Sequence, residues 1–213
     1  NRDGKLDLAV SNYTASAKGT VSIVLGKGDG TFGTASSIGV ENGPYTVAAG
    51  DINHDGAQDL VVSNFNSGTV SILLGKGDGT FTLTKALVGV ATGMVLHDMT
   101  QDGHLDLVAN LVDKTVRILP GDGKGGFGIG IAGTGLLNGG SLQDLAVTDW
   151  NRDGFLDVVA SQGSPDNVVL LLGNGKGALA YASNFKPGGT FLRGLEVGDF
   201  NHDGNPDATF AAS

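Results

Sequence analysis

The chain has 213 residues, enough to bury a sizeable core in one domain or one repeat array. Its 37 glycines, against only 5 prolines, favour many tight turns between short strands over helices or disorder. A formal net charge of −9 argues against a nucleic acid as partner, because phosphate contacts need an excess of Lys and Arg.

Cysteine is absent, so a secreted form of this chain would depend on packing and metal ions in place of disulfides. No signal peptide is present and the chain starts at Asn1 without Met, so we expect a processed or truncated piece. The longest apolar stretch, residues 86–96, contains Thr and two Gly and is too short to span a bilayer. We therefore predict no membrane span.

The chain begins inside an acidic turn, residues 1–7, that recurs along its whole length. The complete form, residues 51–59, has oxygen-bearing side chains at positions one, three, five and nine, and Gly at position six. This spacing turns the side chains toward one centre, and Gly permits the positive-φ bend around it. Three converging carboxylates would repel one another without a cation between them, and hard oxygen ligands without His or Cys select Ca²⁺. Further copies occupy residues 98–106, 149–157 and 199–207.

The copies keep a period. Their fifth-position aspartates are separated by 52, 47, 51 and 50 residues: Asp3, Asp55, Asp102, Asp153 and Asp203. Five copies in register are strong evidence for a repeat, and we predict four or five bound Ca²⁺ ions. Since 14 of the 22 acidic residues lie in these loops, five ions would move the formal charge from −9 to about +1.

The predicted metal ligands follow from the loop positions. The side-chain ligands are Asn1, Asp3, Asp7, Asp51, Asn53, Asp55, Asp59, Asp98, Thr100, Asp102, Asp106, Asp149, Asn151, Asp153, Asp157, Asp199, Asn201, Asp203 and Asp207. Thr100 offers a hydroxyl where the other loops have an amide, which predicts a weaker third site. The first loop lacks its first two positions, so we expect it to be disordered or without metal. An EF-hand is excluded because position twelve is Val62, Ala109, Ala160 or Phe210, where that motif needs a bidentate Glu.

Each loop leads into the same series of predicted strands. A Val- and Leu-rich run follows at once, and after a polar turn comes a second strand, at residues 21–25, 70–74, 116–119 and 168–172. Gly-rich hairpins come next, at residues 26–32, 75–81, 121–127 and 173–179. An outer strand and a strand before the next loop complete a unit of about 50 residues, the size of a four-stranded β-propeller blade.

Recurring apolar positions predict how such units pack. Phe32, Phe81 and Phe127 share one hairpin position and are predicted to be core residues. Position two of the loops is predicted to pack between blades, through Ile52, Met99, Trp150 and Phe200. Position four is predicted to face solvent, which makes His54, Arg152 and His202 surface residues.

The D-x-[NT]-x-D-G-x-x-D loops and V-x-I-x-x-G-x-G-x-G-x-[FL] hairpins resemble the FG-GAP/VCBS repeats of the integrin α-chain type of β-propeller, over essentially the whole chain. The resemblance implies an all-β propeller of four-stranded antiparallel blades in a single domain 1–213, with repeats at about 1–50, 51–97, 98–148, 149–198 and a partial 199–213. Family members usually close with seven blades, which implies part of a larger ring or a ring completed by oligomerisation. It also implies main-chain carbonyl ligands at position seven, from Lys5, Ala57, His104, Phe155 and Asn205.

We therefore expect a secreted or cell-surface binding and adhesion module, stabilised by calcium, that presents loops to a protein or carbohydrate. A lectin would need exposed aromatic residues, and a calcium-stiffened spacer is a further alternative. Another is the accessory or catalytic propeller of a secreted polysaccharide-degrading enzyme, with candidates Arg117, Arg193, Tyr45 and His97. HExxH, GxSxG, P-loop and Cys-nucleophile motifs are absent, so we expect no enzyme.

Overall fold

The computed structural model describes residues 1–88, 90–111, 113–132, 141–163, 166–190 and 192–212, and in these residues it contains strands and turns but no helix. Accordingly, no helix that could cross a membrane occurs in the described part of the chain. The strands pair antiparallel in five sheets. The chain packs as two compact units, unit 1 (Asn1–Thr92 with Asp122–Gly126) and unit 2 (Gly93–Gly121 with Phe127–Ser213).

Unit 1 contains two sheets. Sheet 1 has the order β1-β2-β3, with β1 at Leu8–Asn12, β2 at Lys18–Val24 and β3 at Ser36–Asn42. Sheet 2 has the order β4-β5-β6-β7, with strands at Pro44–Gly50, Asp59–Asn64, Thr69–Gly75 and Phe81–Val88. The loop between β4 and β5 is the acidic loop 51–59, and Gly50 lies opposite Asp59 where the two strands pair.

Three more sheets follow. Sheet 3 has the order β11-β10-β9-β8, with β8 at Val90–His97, β9 at Asp106–Leu111, β10 at Val116–Leu119 and β11 at Ile131–Ala132. Sheet 4 has the order β12-β13-β14-β15, at Ser141–Thr148, Asp157–Gly163, Asn167–Gly173 and Leu179–Phe185. Sheet 5 pairs β16 at Arg193–Gly198 with β17 at Asp207–Ala211.

The predicted order of elements is confirmed. Four of the five acidic loops join the first and second strands of a sheet, and the position-nine aspartate of each begins the second strand: Asp59, Asp106, Asp157 and Asp207. The predicted Gly-rich hairpins are also present. They connect β6 with β7 and β14 with β15. The absence of helices beside the described loops agrees with the exclusion of an EF-hand.

Aliphatic side chains of neighbouring sheets form the cores. In unit 1, Val21 and Ile23 of sheet 1 pack with Leu60, Val62 and Leu73 of sheet 2. Every residue of β5 is buried, which explains why its central run, residues 60–62, is apolar without alternation. Burying such a side chain contributes about 1.5–3 kcal/mol. In unit 2, a cluster joins sheets 3 and 4 in the same way.

The packing predictions hold only where a neighbouring sheet is available. Phe81 packs against the unit 1 cluster that contains β2 residues, and Phe127 is buried. Phe32, at the same hairpin position of sheet 1, is 43% exposed, so its predicted core role is wrong. Among the described residues, no neighbouring sheet packs against Phe32 as sheet 1 packs against Phe81.

The same reason applies at loop position two. Ile52 and Met99 are buried, and Met99 packs in the cluster that includes β13 and β14. Trp150 is half-buried beside the cluster of sheets 4 and 5. Phe200, in the loop of the two-stranded sheet 5, is 57% exposed, contrary to the prediction, and among the described residues no further sheet covers it.

Candidate metal-binding loops

Backbone N–H groups hold the side chains of each acidic loop in place. In loop 51–59, Asp51 accepts hydrogen bonds from the backbone N–H of Asp55 at 3.2 Å and of Gly56 at 2.8 Å. Asn53 Oδ1 accepts from the N–H of Asp55 at 3.0 Å, and Asp55 Oδ1 from that of Ala57 at 2.7 Å. Loops 149–157 and 199–207 repeat all four bonds. Thus the predicted alternation of side chains around one turn is present.

The turn has positive φ at two positions, four and six, on either side of the position-five aspartate. Gly56 has φ 81°, as the pattern predicted, but His54 at position four also has φ 59°. Position four is left-handed in all five loops: Arg2, His54, Gln101, Arg152 and His202. A non-Gly residue in this region is uncommon and costs of order 1 kcal/mol, so the loop holds strain that its hydrogen bonds offset. Sequence reasoning missed this feature.

The position-nine aspartate is a structural hub. Asp59 is fully buried, and its Oδ2 accepts from the N–H of Ile52 at 3.0 Å while its Oδ1 accepts from the N–H of Gly75 at 2.7 Å. One carboxylate thereby ties the start of the loop to the end of β6. Asp106 with Gly121, and Asp157 with Gly173, repeat the connection.

The glycine at the end of the third strand is required by this close approach. A Cβ on Gly75 would overlap the main-chain oxygen of Gln58, the residue before Asp59. The equivalent glycines meet the corresponding carbonyl oxygen in three other sheets: Gly26, Gly121 and Gly173. These glycines were predicted only as turn residues, and their packing role depends on a contact between distant parts of the chain.

The carboxylates of one loop differ in burial, and their pKa values shift in opposite directions. Desolvation raises the pKa of Asp59, Asp106 and Asp157, although backbone N–H groups oppose the rise. The nearby charges of Asp55 and Asp51 add to the raised pKa of Asp59. By contrast, the N–H of Ala57 holds the pKa of exposed Asp55 below its usual value. The like charges of the loop therefore lie close enough to affect one another, as a cation site requires.

The first loop forms the same turn as the complete loops, and of the two alternatives expected for it, a loop without metal stays a prediction. The N–H of Asp3 donates to Asn1 Oδ1 at 3.1 Å, and that of Lys5 to Asp3 Oδ1 at 2.9 Å, as in the complete loops. Asp7 accepts from the Asn1 ammonium at 2.9 Å and from the N–H of Gly26 at 2.8 Å.

The third loop carries an oxygen without a hydrogen-bond partner. Thr100 Oγ1 is buried, and among the described residues it has no hydrogen-bond partner of good geometry. The hydroxyl lies near Asp106, where it partly opposes the rise that burial causes in the pKa of Asp106. Asp98 and Asp102 make the same turn bonds as their counterparts. A buried hydroxyl oxygen at position three fits the predicted donor set, since a metal ion would satisfy it.

Position-four side chains reach from one loop to the next. Arg2 Nη2 donates to Asp55 O at 2.8 Å and to Asp55 Oδ1 at 3.1 Å. In unit 2, Gln101 Nε2 donates to Gly154 O at 2.8 Å. Arg152 is near Gly204, and its charge adds to the N–H of Asn205 in lowering the pKa of Asp203. These residues are exposed as predicted, but they also connect successive loops.

The donor set fits calcium in its chemistry, although the side chains do not form a ready-made cage. The described residues contain no group of three or more His, Asp or Glu side chains arranged to hold a metal ion. Each loop nevertheless places carboxylate and amide or hydroxyl oxygens around one turn, without His or Cys ligands. The position-seven carbonyls of Lys5, Ala57, His104, Phe155 and Asn205 stay predictions.

The candidate catalytic residues lie in ordinary structural settings. Arg117 Nη2 donates to Asp113 Oδ2 at 2.6 Å, and its Nε to Thr115 at 3.2 Å. Arg193 is exposed at the start of β16. His97 ends β8, and partial desolvation lowers its pKa. Tyr45 is an exposed residue of β4 in unit 1.

Antiparallel sheets of up to four strands, with acidic loops between their first and second strands, are blades of the β-propeller class. A family model described as FG-GAP-like repeat matches the chain four times, at residues 1–62, 56–109, 98–160 and 149–208. The chain belongs to the FG-GAP-like repeat family.

Solved structures share the fold at low sequence identity. One is a lectin from Agrocybe aegerita, described for its specific recognition of non-reducing terminal N-acetylglucosamine, with TM-score 0.60 and 19% identity over 96% of this chain and 60% of that one. Another is a protein from Lactobacillus plantarum, with TM-score 0.65 and 15% identity over 98% of this chain and 62% of that one. This chain thus spans about three fifths of each. A comparison with curated proteins finds no significant match.

Proposed function

We propose that this chain is an extracellular binding module whose acidic loops are stabilised by calcium, and that it presents its other turns to a protein or carbohydrate. The carrying observation is that the same oxygen-rich turn recurs, with the same backbone hydrogen bonds, around closely spaced carboxylates. The shared fold of a lectin supports a binding role, since that protein recognises a sugar.

Calcium would act on the electrostatics of each loop. The ion would offset the repulsion among the three carboxylates and relieve the cost of the charged, buried position-nine aspartate. The residues that would hold it are the loop ligands predicted above, from Asn1 to Asp207. Extracellular calcium concentrations suit such weak surface sites, which is why we place the module outside the cell.

Thermal unfolding with calcium and with a chelator tests this role. At about 1 mM Ca²⁺, a weak site with a Kd of about 0.1 mM adds about 1.4 kcal/mol of stability, which raises the Tm by roughly 3–6 °C for each such site. Asp149→Asn should reduce this rise. Asp29→Asn is the matched control, because Asp29 is an exposed hairpin carboxylate that bonds only to Thr31 among the described residues. A Tm that is the same with calcium and with chelator would contradict the proposal.

We further propose binding without catalysis. Surfaces coated with glycoproteins or polysaccharides should retain the calcium-loaded protein, and incubation with the polysaccharides should release no new reducing ends. Release of reducing ends that stops on mutation of Arg193 or His97 would favour the enzyme alternative instead.

A further inference from the structure

We infer that three exposed aromatic residues of unit 1, Tyr13, Tyr45 and Phe65, form with Asn66 a binding site for a neutral carbohydrate. The inference rests on the proposed binding function and assigns it a ligand class and a place. We call this group the aromatic patch. Tyr13 directly follows β1 of sheet 1, Tyr45 lies in β4 of sheet 2, and Phe65 and Asn66 lie in the turn after β5.

The rings of the patch are open to solvent although they are large and apolar. Tyr13 is 53% exposed, Tyr45 46% and Phe65 48%. The ring centroids of Tyr45 and Phe65 are 6.4 Å apart, with their planes inclined at 45°. At this distance the two rings are in tilted aromatic contact, so their exposed faces together present one apolar surface. Exposed aromatic groups that meet in this way are typical of interaction sites rather than of a solvated surface.

Polar contacts hold the patch in one arrangement before any ligand binds. The Tyr13 hydroxyl lies 3.4 Å from Asn66 Nδ2, which also donates to the main-chain oxygen of Ala15 at 3.1 Å. Ser11 Oγ donates to Tyr45 O at 2.6 Å, and this bond ties β1 to β4 beside the ring.

The turn that carries Phe65 is fixed as well. The N–H of Phe65 donates to Gly43 O at 2.7 Å, and that of Gly68 closes the turn onto Phe65 O at 3.3 Å. A Cβ on Gly43 would lie 2.7 Å from the Asn66 amide, so the two segments are in close contact. A surface ordered in advance loses less entropy on binding, which favours even a weak ligand.

The chemistry of the patch matches a sugar without net charge. Aromatic faces carry partial negative charge and attract the C–H groups on one side of a pyranose ring. The Tyr hydroxyls and the Asn66 amide can exchange hydrogen bonds with sugar hydroxyls. Asn42 accepts from Asn66 Nδ2 at 3.4 Å, and Lys18, which lies opposite Asn42 in sheet 1, pairs with Glu41 at 3.2 Å. An acidic sugar would therefore find no free cation in Lys18.

The aromatic residues are not needed to build a blade. Sheets 2 and 4 can be aligned by their strand pairing, because Val47 lies opposite Val62 in sheet 2 and Leu145 opposite Ala160 in sheet 4. In this alignment, sheet 4 has Gln143 at the position of Tyr45 and Gly163 at the position of Phe65. A four-stranded sheet thus forms with a polar residue and a glycine at these positions. Their large exposed rings in unit 1 call for a role outside folding.

A printed array of neutral and sialylated oligosaccharides, probed with the calcium-loaded protein, tests the inference. We expect signals on neutral glycans, and calorimetric titration of the strongest one should show that Tyr45→Ala weakens binding about tenfold. Phe65→Leu should weaken it similarly, because leucine keeps the apolar volume but has no aromatic face. Tyr45→Phe keeps the ring and loses one hydroxyl, so it should weaken binding less than Tyr45→Ala. Tyr181→Ala removes an exposed ring from unit 2 and serves as the matched control.

The outcomes distinguish a failure of the aromatic patch from a failure of the proposed function. Each variant must keep the calcium-dependent Tm of the wild type. If neutral glycans bind but Tyr45→Ala and Phe65→Leu bind equally well, the patch is wrong while the proposed function stands. Three further outcomes would overturn the inference. They are binding to sialylated glycans alone, an empty array with folded protein, and binding only to protein-coated surfaces that persists after periodate has oxidised their sugars. Failure of the module itself would appear earlier, as a Tm indifferent to calcium.

Discussion

Loops 51–59 and 199–207 share the same local bonds but differ in their support. In both, the position-one aspartate accepts from the N–H groups of positions five and six. Asp59, however, is fully buried and bonds to both Ile52 and Gly75. Asp207 is half-buried, and among the described residues its backbone donor is Phe200.

This difference shows that the turn and its anchorage have separate origins. The turn forms from hydrogen bonds between residues at most five positions apart, so a two-stranded sheet is enough for it. Burial of position nine needs the third strand and its terminal glycine, which a complete blade provides. Mutations at the glycine, at position nine and at position four should therefore have graded effects.

The largest effect is expected from Gly75→Ala. Its Cβ would overlap the main-chain oxygen of Gln58, and backbone cannot move aside as a flexible side chain can. We expect a loss of about 3 kcal/mol in the free energy of unfolding by urea titration with chelator present. Gly39→Ala is the control, since a Cβ there meets no atom within 4 Å. Equal stabilities of the two variants would disprove the close-approach explanation.

An intermediate effect is expected from Asp59→Asn. An amide oxygen can accept from Ile52 or from Gly75, but the amide nitrogen that replaces the other oxygen leaves a buried N–H unpaired, at a cost of about 2 kcal/mol. Asp207→Asn should cost less than about 1 kcal/mol, because the site is more exposed and can be hydrated. Chelator-treated samples isolate this hydrogen-bond effect from lost metal binding. A larger loss at Asp207 than at Asp59 would remove the distinction between the two loops.

The smallest effect is expected at position four. Arg2→Ala removes an exposed ion pair with Asp55 and a hydrogen bond to its carbonyl, so we expect less than about 1 kcal/mol in urea unfolding. Its effect should shrink further in high salt. Gln101→Ala, which loses only an uncharged hydrogen bond to Gly154, should show no such salt dependence. The same salt dependence in both variants would contradict the assigned contacts.

Much of the site could be predicted because its signals are local. The spacing of Asp51, Asn53, Asp55 and Asp59 around Gly56 describes the turn, and the Val- and Leu-rich runs describe the strands. The positive φ of His54 left no signal, because position four holds Arg, His or Gln in different loops and no shared residue type marks it. The contact of Arg2 with Asp55 likewise spans 53 residues and has no local pattern.

The sequence by itself determined the repeat, the acidic turns, the strand order and the blade-type fold, because each depends on residues near one another in the chain. The tertiary structure alone decided which repeated positions are buried. Phe32 and Phe127 occupy the same hairpin position, yet one is exposed and the other buried. It also brought Tyr45 and Phe65 together on the surface. Burial and ring contact depend on neighbours that are distant in sequence, so equivalent hairpin sequences do not determine either property.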